Sequence, residues 1–272
     1  MDFFQAVILG IVEGVTEFLP VSSTGHMIVA SHFLRIPQTE FLKTFEIAIQ
    51  LGAIASVFSL YWRVFVLDWE VGLKVLTAFV PTAIIGFVVY KAVKQFLMGN
   101  MVVVASAFIL GGIFLIVFEL LYRGRHTAGG RGGKGAPQGN CPTASLESIS
   151  YPQAFMIGIC QALAVVPGVS RSAATIVGGL MMGISRTTIV EFSFLLAVPT
   201  MLAATALDLL KSSSAITAAE FGLLAVGFVV AFVVAFAAVK LLLRYIKQND
   251  FIPFGIYRIV AGVIILLFLR HL

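Results

Sequence analysis

Long apolar runs separated by short polar turns dominate this chain. Six of them, at 43–61, 74–90, 101–122, 187–210, 218–243 and 252–269, each approach the ~20 residues a helix needs to cross ~30 Å of hydrocarbon. The stretch that opens each half differs. Residues 2–19 are apolar but carry Glu13, Thr16 and Glu17, and Pro20 then interrupts them. The piece that follows, 24–34, would rise only ~16 Å as a helix, too short to span. Residues 151–166, then Pro167-Gly168, then 172–183 repeat the arrangement. Each pair predicts a re-entrant helical hairpin, whose irregular tip is tolerated at membrane depth only where it lines a polar cavity.

The segment 123–150 breaks the apolar pattern. It is rich in Gly and basic residues and reads as a flexible linker between 1–122 and 151–272. The halves match at a constant offset of 148, which sets Gln5, Ala6, Gly10 and Ile11 on Gln153, Ala154, Gly158 and Ile159. The same offset sets Val21-Ser22-Ser23-Thr24-Gly25 on Val169-Ser170-Arg171-Ser172-Ala173. A polar cluster in register favours duplication over chance likeness between apolar stretches. The expected fold is therefore an all-α polytopic membrane protein of two repeats, each a re-entrant hairpin plus three transmembrane helices. Three spans per repeat is odd, so the second repeat should be inverted relative to the first. The linker side then collects Arg63, Arg123, Arg125, Arg131, Lys134, Arg186, Arg244 and Lys247, against Arg35, Lys43, Lys91, Lys94, Lys211 and Arg270 opposite. The excess of positive charge predicts a cytoplasmic linker and both termini outside.

Composition agrees. The chain is 60% hydrophobic and 11% charged, with mean hydropathy +1.04. A soluble domain carries about 25% charged residues. The net charge of +5 fits cytoplasmic loops better than nucleic-acid binding. The start of the chain lacks the basic region and small-residue site of a removable signal peptide. Cys141 and Cys160 suggest neither a disulfide framework nor a metal spacing.

Candidate chemistry gathers at the two hairpin tips. Glu13 and Glu17 share one helical face, where like charges repel and intramembrane carboxylates are costly. A divalent cation would offset both terms, and Mg²⁺ bridges carboxylates and substrate phosphates. Ser22, Ser23 and Thr24 follow the break and begin a helix. They suit N-capping, and also the anion-binding property of a helix start. Ser23 and His26 face the same way on that helix, as a nucleophile and base would. In the second tip Arg171 stays charged and matches phosphate oxygens bidentately. Ser170, Ser172 and Thr175 flank it. The tips are unequal: Glu13 and Glu17 stand where the second half has Gln161 and Val165, and Arg171 stands where the first half has Ser23. One half supplying metal ligands and the other a phosphate clamp would explain the difference.

At these residues the chain resembles the BacA-type undecaprenyl pyrophosphate phosphatases of bacteria. EGVTEFLPVSSTGH (13–26) and PGVSRSAAT (167–175) match that family's two signature regions. Likeness extends through TFEIAIQLG (44–52) and EFSFLLAVP (191–199) to FIPFGIYR (251–258), nearly the whole chain except the linker. The resemblance implies hydrolysis of the C55 lipid diphosphate to its monophosphate, a need for Mg²⁺ or Ca²⁺, and a link to cell-wall synthesis and bacitracin resistance. It also implies the bacterial cytoplasmic (inner) membrane, with a site open to its outer face. Carried over by position, Glu13 and Glu17 are the paired acids and metal ligands. Ser23, His26 and Arg171 join them as catalytic, and Ser22, Thr24, Ser170, Ser172 and Thr175 line the phosphate. The second class of lipid phosphatase does not fit, because it needs a histidine soon after its Ser-Arg pair and none follows Arg171 until His271. The expected partners are the polyprenyl diphosphate and the bilayer; a homodimer is allowed and no nucleic acid is implied. Attack by Ser23 through a phosphoserine and direct attack by water both stay open. An inverted-repeat transporter or lipid flippase is the alternative function.

Overall fold

The computed structural model describes residues 1–96, 101–128, 145–211 and 217–269. Among them are α1 (Phe3–Thr16), α2 (Ser23–Phe33), α3 (Glu40–Leu67), α4 (Trp69–Phe96) and α5 (Met101–Ala128) in the first half. The second half holds α6 (Tyr151–Ala162), which tightens into a 3-10 turn at Leu163–Val165, then α7 (Arg171–Met181), α8 (Arg186–Lys211), α9 (Ala218–Ile246) and α10 (Ile252–Leu269). Helices α3, α4, α5, α8 and α9 are long and apolar enough to cross a membrane, and α10 is a shorter apolar helix. The chain is an all-α polytopic membrane protein. Large apolar side chains such as Phe87, Val229 and Leu241 stand exposed on these helices, as side chains facing hydrocarbon do.

All six expected spans are helical, and both interrupted stretches break at the expected places. The differences lie at the ends. Helix α3 runs past Tyr61, where its backbone departs from helical geometry (φ −117°, ψ 18°), and continues to Leu67. Helix α5 continues to Ala128, into the stretch read as linker, because the single Gly124 does not stop it and Gly129-Gly130 come only after its end. Linker residues 129–144, with Cys141, lie outside the described residues.

The 148-residue offset reappears as paired local structure. Asp2 and Gln5 form a reciprocal cap on α1, and Ser150 and Gln153 do so on α6. Each glutamine then donates to the far end of its own hairpin: Gln5 Nε2 to the Leu34 carbonyl at 3.1 Å, and Gln153 Nε2 to the Met182 carbonyl at 3.2 Å. Arg35 (φ 52°) and Gly183 (φ 76°) follow these carbonyls in the left-handed region. Packing exchanges partners between the halves. Helix α1 lies on α9 and α6 on α4, α3 packs on α9 and α8 on α4, and α5 pairs with α10. Each hairpin is thus clamped by the middle long helix of the other half. Phe18, before the first break, meets Phe194 of α8 edge-on at 5.3 Å with both rings fully buried, which draws the first tip toward the second half.

Candidate active site

The first tip is held in an unusual backbone state. Ser22 sits at φ 70°, ψ 98°, a region non-glycine residues seldom occupy, and its side chain makes no cap hydrogen bond. No side chain therefore takes up the first N–H groups of α2, which keeps the anion-binding character of a helix start. Ser23, the first helical residue, donates from Oγ to Glu17 Oε2 at 2.5 Å. Glu17 Oε1 accepts from Arg171 Nη2 at 3.0 Å. One buried carboxylate thus joins the hydroxyl of the first tip to the guanidinium of the second. Thr24 stands exposed beside Ser23.

The second tip is fully wired. Ser170 caps α7 by accepting from Ala173 N–H at 3.2 Å. Ser172 Oγ donates to the Leu19 carbonyl at 2.8 Å, tying the second tip to the first. Thr175 Oγ1 shares a proton with Ser193 Oγ at 2.6 Å, and the Ser193 carbonyl accepts from Arg171 Nη1 at 3.3 Å. The hydroxyls of Ser170, Ser172 and Thr175 are therefore buried and engaged with protein partners. They hold Arg171 and the tip-to-tip contact in place; the guanidinium, with its side chain 13% exposed, is the group that reaches across to Glu17 of the first tip.

Helix α10 braces both tips from behind. Arg258 is 1% exposed. Its Nη2 donates to the carbonyls of Ala107 and Gly168, each at 3.0 Å, and its Nη1 to the Pro20 carbonyl at 3.4 Å. Gly111 admits this guanidinium, since a Cβ there would lie 2.3 Å from Nη2. Gly168 itself takes φ +90°, which only glycine adopts without strain. The neighbouring Tyr257 points its hydroxyl at His26 Nε2, 2.6 Å away. His26 Nδ1 lies 2.7 Å from the Ser22 carbonyl.

The sequence expectation paired His26 with Ser23. Here the Ser23 hydroxyl goes to Glu17, and both imidazole nitrogens are engaged elsewhere, because the turn of α2 carries the ring toward α5 and α10. Glu13 is 1% exposed, and neither of its carboxylate oxygens has a hydrogen-bond partner. An orphaned buried carboxylate beside a second one fits a divalent cation, which favours oxygen ligands. No group of three or more His, Cys, Asp or Glu side chains is placed to hold a metal among the described residues, so substrate oxygens would have to complete the shell.

Residues 6–264 match the family described as Bacitracin resistance protein BacA. The chain belongs to the BacA family. Among its curated relatives, undecaprenyl-diphosphatase of Wolinella succinogenes is 48% identical over 269 residues, covering 99% of both chains. That of Aquifex aeolicus is 46% identical over 264 residues, covering 97% of both. The relative of the same name from Methanococcus aeolicus is 41% identical, over 98% of this chain and 99% of its own. Three BacA-family positions brought to the tips had no role assigned from sequence: Ser193, Tyr257 and Arg258. All lie inside stretches that carried the resemblance. An arginine within the apolar run of α10 was itself a signal, because a charge there needs a buried partner.

Proposed function

We propose that this chain hydrolyses undecaprenyl diphosphate to undecaprenyl phosphate and inorganic phosphate, recycling a lipid carrier for cell-wall synthesis. One observation carries the reading: Ser23, Glu17 and Arg171, drawn from two separate hairpins, form one continuous hydrogen-bonded set around a buried carboxylate. A nucleophile, a proton acceptor and a phosphate clamp are what phosphoryl transfer requires. Arg171 and the uncapped N–H groups of α2 bind the distal phosphate. Ser23 Oγ attacks its phosphorus while Glu17 takes the hydroxyl proton, and the bond to the bridging oxygen breaks to release the lipid monophosphate. Water then cleaves the phosphoserine, with Glu17 holding the proton between the two steps. In the second route, water attacks directly with Glu17 as base. Glu13 and Glu17 would hold Mg²⁺ or Ca²⁺, which supplies charge neutralisation at the diphosphate.

The two halves act as inverted repeats in the bacterial cytoplasmic membrane, with the linker inside and the pocket open to the outer face. The exchanged packing of the hairpins and the positive charge of the linker side support this arrangement. A lipid flippase would share the architecture but has no need of a serine hydroxyl on a buried carboxylate. Purified protein in detergent, given the C55 diphosphate with and without chelator, decides between them. Release of phosphate that chelator suppresses is expected; no release overturns the reading, because transport needs two compartments and hydrolysis does not.

A further inference from the structure

His26 cannot activate Ser23 in this arrangement, so its place needs another explanation. A carbonyl oxygen only accepts, so the 2.7 Å contact with Ser22 puts the imidazole proton on Nδ1. The neutral ring then presents a bare Nε2, and the Tyr257 hydroxyl 2.6 Å away donates to it. The two rings are nearly parallel, 5° apart, with centroids at 5.5 Å. The chain of bonds therefore runs from Tyr257 through His26 to the carbonyl of Ser22. That residue is one of two non-glycine residues with positive φ among the described residues, and it lacks the cap bond that would otherwise hold it. Such a conformation persists only where its surroundings impose it.

We propose that Tyr257 is a positioning residue. Through His26 it fixes the Ser22 carbonyl, and so holds the Ser23 hydroxyl and the start of α2 in register with Glu17 and Arg171. Tyr257 and Arg258 are adjacent on α10, so a single helix sets both tips: Arg258 holds Gly168 and Pro20, and Tyr257 holds Ser22. Tyr257 is 47% exposed, while its hydroxyl is turned to His26. The role of Tyr257 in turnover rests on the phosphatase reading; its bond to His26 does not.

The test is Tyr257→Phe in the full-length purified protein, which keeps the ring and removes only the hydroxyl. Loss of one hydrogen bond on the reactive backbone lowers kcat for phosphate release about tenfold, with KM changed by less than about twofold. In a His26→Ala background the same substitution has no further effect, because Tyr257 acts through His26. Nitrogen-15 spectra of labelled histidine provide the second readout, and the signal lost in His26→Ala identifies His26 among the four histidines. Tyr257→Phe moves Nε2 toward the value of an unbonded bare nitrogen and leaves Nδ1 in place. Full activity in Tyr257→Phe, losses that multiply in the double variant, or an unmoved Nε2 signal would each overturn the proposal. Should the wild-type protein release no phosphate at all, the functional reading fails separately, and the nitrogen signals still judge the Tyr257–His26 bond.

Discussion

The two hairpins share a plan but not a state of satisfaction. In the second, Ser170 caps its helix, Ser172 and Thr175 have protein partners, and the Gln161 amide nitrogen donates to Thr82 and Thr200, leaving only its neutral Oε1 buried without a partner. In the first, the position of Ser170 is taken by Ser22, uncapped and in the left-handed region, and that of Gln161 by Glu13, whose two oxygens are buried without a hydrogen bond. The second hairpin is scaffold that contributes one reaching group, Arg171. The first engages Ser23, Glu17 and His26 but leaves both oxygens of Glu13 unmet, which is costly in an apolar setting unless a ligand meets them. The capped, well-bonded tip thus lies in one half, and the strained tip with an unpartnered carboxyl in the other.

The sharpest break of this contrast is Ser23→Ala, which removes the one hydroxyl of the first tip aimed at Glu17. Turnover should fall about 10⁴-fold, as when a nucleophile acting in a concerted set is removed; a phosphate-release assay that finds an active variant would leave only direct attack by water. Arg171→Lys comes next. A point charge does not span both Glu17 and the Ser193 carbonyl, so kcat should drop by about 10²–10³. Near-normal turnover would mean that the second hairpin contributes scaffold alone.

Glu13→Gln makes the first hairpin copy the second. Without added cation the variant should unfold at a higher temperature than the wild type, by the equivalent of about 1–3 kcal/mol, because an amide can donate to the neighbouring Glu17 carboxylate where a second carboxyl crowds it. Added Mg²⁺ should raise the melting temperature of the wild type and not that of the variant, and activity should fall. Equal responses to the cation would remove Glu13 from the ligand set. The smallest effects have opposite signs. Ser170→Ala loses a cap and should cost about 1 kcal/mol. Ser22→Gly relieves a strained φ and should gain about 1 kcal/mol in thermal unfolding while slowing turnover. Loss of stability in both would show that the two tips are held alike.

Much of this site is legible in the residue pattern alone. The span positions, the two breaks, the carboxylate pair and the lone tip arginine all follow from apolar length, Pro and Gly placement, and the cost of charge in lipid. Their roles as cap or clamp were not legible. Ser22 and Ser170 occupy equivalent positions with the same residue type, yet only one caps its helix. Gln5 and Gln153 also match, and there the structures agree to the bond. The difference arises because the environment of Ser22 includes His26 and Tyr257, while that of Ser170 includes Leu19 and Ser172.

The residue pattern alone was enough to place this chain in a bilayer, to locate its two interrupted helical stretches at a constant offset of 148, and to gather its chemistry-bearing charges there. Those features depend on hydropathy, period and local backbone chemistry, which are written along one dimension. The three-dimensional packing was needed to make Glu17 the bridge between Ser23 and Arg171, to turn His26 away from Ser23, and to tie both tips to Arg258. Each of those bonds joins residues from separate elements or depends on how far a helix is rotated. Packing of one half against the other sets that rotation, and no spacing within a single segment encodes it.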